Sequence, residues 1–237
     1  MRRLFVPTMG PSDWRRLLAD PQKHWRESKS AYEAAVAWEA ARKTLRGLPP
    51  EMEAVFDSHD AFRGASLLLG LPEHQVELEG GGHASQTDFW ALLAAPILGT
   101  ISMAVEAKAG EPFDKTVSEW LAGKKESSGK PTRLAQLCRV LAMEESLSMN
   151  CRYQLMHRPV AAILEAKRFR LDNALFMVQA FGKNERSFQD YRNWAAVLGV
   201  EGKQGSIERA GKYDGVDLWI GWVDAPVAGH TTVRAAV

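Results

Sequence analysis

Cysteine is scarce: the 237 residues hold only Cys138 and Cys151. Neither stands in a CxxC pair or beside histidines at zinc spacing, which excludes a disulfide framework and a structural zinc site and reads as reduced thiols. Net charge is scarce as well. Thirty Lys and Arg face 29 Asp and Glu, a formal charge of +1, so no overall basic field draws in nucleic acid and any anionic partner must be held locally. Long uncharged runs are missing. The longest is the 17 residues from Phe89 to Val105, too short for a spanning helix and interrupted by Pro96 and Gly99. The opening "MRRLFVPTMG" has a three-residue apolar stretch before Pro7, well short of a signal-peptide core. No membrane partner and a cytoplasmic location are the resulting expectations.

What is present is enough apolar material for a real core, 46% of the chain, in one or at most two domains. The charge is unevenly placed: residues 1–46 balance at +5, residues 47–106 at −8 and residues 107–237 at +4. Carboxylates repel phosphate, so an acidic centre between basic ends suits a site where a divalent cation mediates. A solvated acidic face is the common alternative.

Helices come first along the chain. "SDWRRLLAD" predicts a short helix from an N-cap at Ser12 to about Ala19, stopped by Pro21. "SKSAYEAAVAWEAARKTLRG" repeats apolar residues near a 3.6 period and ends at Gly47. A third helix is predicted over 49–57. The period then drops to two in "HQVELEG", a strand that runs into Gly80-Gly81-Gly82. "TDFWALLA" and "TISMAVEAK" follow as a hairpin turned by "APILG". Residues 113–143 return to helix around the polar break "GKKESSGKP", and "CRYQLMHRPVAAILEAKRFR" is helical, with Pro159 either kinking one helix or opening a second. A buried strand "NALFMVQAF", a helix "SFQDYRNWAAVLG" and a late strand "GVDLWIGWV" complete the order. The pattern predicts a single α/β domain with a mixed central sheet flanked by helices. Its N-terminal helical addition, residues 1–48, packs on a core of residues 49–237.

If the hairpin turn centres on Ile97, antiparallel partners sum to 194: Ala95 faces Gly99, Ala94 faces Thr100, and Asp88 faces Glu106. Directly opposed residues share a face, and side-chain alternation puts Lys108 on that face with Glu106 while Ala107 points away. Two carboxylates and an ammonium therefore converge at one end of an apolar hairpin, an inference that a one-residue slip would destroy. Opposed like charges need neutralising. A divalent metal would do this, and hard oxygen ligands favour Mg²⁺ or Mn²⁺; a salt bridge from Lys108 at the sheet edge is the simpler alternative.

Asp88, an apolar stretch and then Glu106-Ala107-Lys108 resemble the D…(D/E)xK signature of the PD-(D/E)XK nuclease superfamily, whose core runs helix, three strands, helix, strand. The likeness covers roughly residues 49–181. "LEGGGHASQTD", "VEAKAGEPF" and "RYQLMHR" further resemble segments of a poorly characterised bacterial family assigned to that superfamily. The resemblance implies a restriction-endonuclease-like fold and a metal-dependent nuclease. Asp88 and Glu106 would ligate Mg²⁺ (or Mn²⁺) with the Ala107 carbonyl, and Lys108 would position or help deprotonate the attacking water. Gln154 matches the polar residue that many members add from the helix after the third strand, and Arg158, four residues on, would touch a phosphate. DNA is the implied partner, with RNA and a homodimer left open. A catalytically inactive binding module on the same fold is the alternative function. Thr87 stands where the literal "PD" has proline.

The superfamily's extra acid from the helix before the first strand has candidates in Glu53 and Asp57, though solvated helix acids explain both. The basic N-terminal helices and the 124–139 segment are candidate phosphate contacts. Gly80-Gly81-Gly82 lacks a P-loop pattern and reads as a flexible approach to the site. His59, His74, His83 and His157 lack ligand spacing, and Ser85 lacks a GxSxG elbow. Trp14, Trp25 and Trp38, interleaved with cations, can stack on bases, but aromatics at helical spacing are more often core.

Overall fold

The computed structural model describes residues 8–122 and 128–228. A 3₁₀ helix at Pro11–Leu17 leads into α1 (Pro21–His24), α2 (Ser30–Ala41) and α3 (Pro50–Asp57). Strands β1 (Ser66–Val76), β2 (Ser85–Ala95) and β3 (Gly99–Lys108) follow, then α4 (Val117–Leu121), α5 (Lys130–Val140), α6 (Glu145–Ser148) and α7 (Tyr153–Arg168). Strand β4 (Asn173–Phe181), helix α8 (Glu185–Val197) and the hairpin β5 (Ser206–Tyr213) and β6 (Val216–Ala225) end the described chain.

These elements form one α/β domain on a six-stranded open sheet in the order β1-β2-β3-β4-β6-β5. The pairings of β1 with β2, β2 with β3 and β5 with β6 are antiparallel, and those of β3 with β4 and β4 with β6 are parallel, so the sheet is mixed. Strand β4 is buried along its whole length, as a central strand covered on both faces must be. Helices α5, α7 and α8 cover one face, meeting Trp90, Ala104, Phe176 and Leu218. The 3₁₀ helix, α2 and α3 cover the other through Trp14, Trp38 and Phe56, which pack with Phe89, Val105 and Met177. Among the described residues no helix is long and apolar enough to cross a membrane.

The β2–β3 hairpin carries the predicted register: Ala95 pairs with Gly99, Ala94 with Thr100 and Phe89 with Val105. Elsewhere the sequence pattern needs correcting. The first helix is 3₁₀ from Pro11 to Leu17, with Gly10 rather than Ser12 at its cap. Of the two readings of Pro159, the second helix is the one to drop: the residue lies inside continuous α7. Strand β1 begins at Ser66 rather than His74 and passes through Gly70 and Pro72, residues that an edge strand tolerates because one row of its amides faces outward. Strand β5 is an addition. It has little apolar content, and its signal was the Asp214-Gly215 turn, where both residues take positive φ (48° and 87°) as a two-residue hairpin requires.

The glycine run after β1 packs against the start of α5. A Cβ added to Gly80 would lie 2.1 Å from the Gly129 carbonyl oxygen, and one added to Gly129 would lie 1.7 Å from that of Gly80. Arg133 of α5 ties the turn down, donating to the carbonyl oxygens of Glu79 (3.3 Å), Gly81 and His83 (2.7 Å). The run is thus a fixed backbone crossing rather than a flexible approach.

Candidate active site

The sheet lines up three acids across three strands. Asp88 lies one step beyond the Phe89–Val105 pair and so opposite Glu106. Glu73 sits between the Pro72–Phe89 and His74–Thr87 pairs, on the other side of Asp88. Its φ of 52° is a left-handed conformation that glutamate seldom adopts. Glu106 and Lys108 are almost fully buried, at 2% and 3% exposure.

Each acid has a different set of partners. Glu106 is gripped by two cations, Lys108 Nζ to Oε1 and Arg158 Nε to Oε2, both at 2.6 Å. Asp88 Oδ2 accepts the Ala107 N–H at 2.6 Å, while its Oδ1 takes no hydrogen bond from the described residues. Glu73 Oε2 accepts from Gln86 Nε2 at 2.9 Å, and its Oε1 is buried without a partner. Gln154, at the start of α7, accepts from Lys108 Nζ (3.2 Å) and from the Asp114 backbone N–H (3.0 Å), which fixes the lysine over the Phe113 ring. Asp88, Glu106, Lys108, Gln154 and Arg158 therefore border one cavity of about 700 Å³. Arg158 reaches it from below, turned inward onto Glu106 and 7% exposed.

The charges do not cancel. Burial and then the neighbouring Glu106 push the Asp88 carboxyl up to about 7, against the pull of Arg158 and Lys108. Burial and then Asp88 hold Glu73 well above the ordinary carboxylate range. Glu106 is also buried, but Arg158 and Lys108 outweigh that and keep it below its usual value. Three acids thus share two cations, an arrangement that favours an added positive charge.

Among the described residues, no three His, Cys, Asp or Glu side chains are grouped as ligands for a metal. Mg²⁺ does not require such a group, since it is typically held by one or two carboxylates and completes its octahedron with water and substrate phosphate oxygens. Asp88 keeps a whole oxygen free, and each Glu106 oxygen has a second lone pair beyond its cation. This pair of hard donors therefore fits Mg²⁺ or Mn²⁺.

Other singled-out residues have structural tasks. Asp57 is bound through both oxygens by Arg46 at 2.8 Å, and neither it nor Glu53 borders the cavity. Glu73 is the third acid instead, from the first strand rather than the preceding helix. Trp14 and Trp38 are core residues stacked on Phe89, and Trp25 packs edge-on against Tyr32. Ser85 Oγ lies 2.8 Å from His157 Nδ1, both buried, and burial holds that imidazole well below its ordinary range and neutral. Of the 124–139 segment, Lys124, Lys125 and Glu126 lie outside the described residues, as do Arg2 and Arg3. Lys130 donates to the Trp120 carbonyl, Arg133 to the glycine turn and Arg139 to Glu79.

Fold and site together define an α/β domain that carries an acid–lysine cluster where three strands end beneath a helix. The chain belongs to a family described as a domain of unknown function, DUF6946, whose model matches residues 7–227. No curated protein and no solved structure matches it.

Proposed function

We propose that the protein is a metal-dependent phosphodiesterase of the PD-(D/E)XK type that acts on DNA, with RNA as the alternative substrate. One observation carries this reading: Asp88, Glu106 and Lys108, separated by an apolar hairpin, meet with Gln154 at the floor of one cavity. With α4, α5 and α6 inserted between β3 and α7, the order α3, β1, β2, β3, α7, β4 also agrees with the helix, three strands, helix, strand of that superfamily.

Asp88 and Glu106 would hold Mg²⁺ or Mn²⁺. When bound, the metal lowers the pKa of a water and polarises the phosphoryl oxygen. Lys108 holds its ammonium beside Glu106 and offsets the charge that grows on the phosphoryl group, with little reorganisation because Gln154 and Phe113 already fix it. Arg158 keeps Glu106 ionised and oriented. The test is cleavage of DNA with Mg²⁺ by wild type and by folded Lys108→Ala and Asp88→Asn proteins. Activity in the wild type and a large loss in both variants is expected; a wild type that cuts neither DNA nor RNA with Mg²⁺ or Mn²⁺ would sink the proposal.

A second reading, a non-catalytic binding module on the same fold, is favoured by the occupation of both Glu106 oxygens by Lys108 and Arg158. Calorimetric titration of Mn²⁺ separates the two. Heat with wild type and none with Asp88→Asn supports the enzyme.

A further inference from the structure

We propose, resting on the phosphodiesterase reading above, that this site takes an unpaired DNA strand and excludes the body of a duplex. Glu106 and Lys108 lie at 2% and 3% exposure, so a phosphate must descend into the cavity to meet them. The space is small. About 700 Å³ corresponds to a cube roughly 9 Å on an edge, within the range of small-ligand pockets, whereas the major groove of B-DNA alone is about 12 Å wide.

The N-terminal helices form one wall, and that wall is fastened. Gln86 Nε2, already bonded to Glu73, also donates to the Leu17 carbonyl at 3.1 Å. The Ser30 N–H donates to Glu111 Oε1 at 3.2 Å across the cavity rim. Trp14 stacks on Phe89, the residue after Asp88. A duplex would have to displace these contacts; a single strand would not.

The cations at the mouth agree. Lys23 of α1, Lys115 of the loop after β3 and Arg186 of α8 border the cavity, and none makes an ion pair with the described residues. They come from three elements around one opening that Glu111, Asp114 and Glu119 also border, so they offer a strand separate phosphate contacts rather than a uniformly basic rim. A second cavity of about 420 Å³ shares Asp114 with the first; Trp120 and Tyr153 border it but stack on each other at 4.2 Å between centroids, which steadies the wall next to the site.

The experiment gives the full-length protein, with Mn²⁺, a 20-nucleotide single strand, the same strand annealed to its complement, and closed circular duplex DNA. Cleavage and binding are both recorded. Opening two base-pair steps handicaps a duplex by a factor of about 100, so the single strand should be cut about 100-fold faster. Arg186→Ala and Lys115→Ala, both at exposed positions, should each reduce the salt slope of single-strand binding by about 0.7. Closed circles cut as fast as the single strand would overturn the strand preference and leave the phosphodiesterase reading standing. Selective binding of the single strand without cleavage of any substrate would overturn the phosphodiesterase reading and keep the preference. Neither binding nor cleavage would overturn both.

Discussion

On the face covered by α2 and α3, most buried polar groups answer one another, though burial pushes the Glu51 carboxyl up and Arg46 Nη2 has no partner among the described residues. Trp38 Nε1 donates to Gln179 Oε1 at 3.1 Å, Gln179 Nε2 donates to Glu51 Oε1 at 3.2 Å, and Trp14 Nε1 donates to Glu39, which Arg42 also holds at 2.8 Å. On the face covered by α7, Glu73, Asp88 and Glu106 share Lys108 and Arg158, one Glu73 oxygen is left without a partner, and Asp88 is pushed up to about 7. Both sets sit on the same sheet at similar depth. The difference lies in charge: three buried acids share two cations on the α7 face, and titratable groups perturbed in this way gather at functional sites.

The comparison breaks most sharply at Arg158. Replacing Arg158 by Met strips Glu106 of one buried cation and should cost about 3–5 kcal/mol in a urea unfolding curve. A loss below about 1 kcal/mol would mean that the α7 face is no more charge-dependent than the other. Next is Lys108→Ala, expected to lower the DNA cleavage rate by about 10²–10³, while Trp38→Phe on the opposite face leaves the rate unchanged.

Asp88 gives the third test, on metal-free protein. Its folded-state value of about 7 lies above the ordinary 3.8, so the folded chain binds the extra proton. The stabilisation is complete below the unfolded value and is lost as pH rises through about 7. Asp88→Asn should therefore be more stable than wild type at pH 8, by on the order of 2 kcal/mol, with the gap closing toward pH 4. Thermal melts at both pH values check it; a variant less stable at pH 8 would show that the acid row carries no strain. The pH-independent effect belongs to the other face. Trp38→Phe leaves Gln179 Oε1 unpaired and removes core volume, and should cost about 1–3 kcal/mol at every pH.

The part of the site held in one hairpin was legible from the sequence. Asp88, Glu106 and Lys108 follow from the "APILG" turn and strand alternation, whereas Gln154 was implied only by the resemblance to the superfamily. Glu73 was not legible, because Pro72 and Gly70 break the period-two pattern of an edge strand that tolerates both. The Arg158–Glu106 pair joins α7 to β3, and the wall from Leu17 and Ser30 joins the N-terminus to residues 86 and 111. Periodicity reports which face a residue occupies, not what it meets across the fold.

The crossing of Gly80 and Gly129 bears on selection. Backbone meets backbone there, so a side chain at either position cannot be accommodated by a change at the other. A library randomised along the chain and selected only for folding should return glycine at both positions. The same selection should let Asp88 drift, even toward asparagine, until cleavage of DNA is demanded as well.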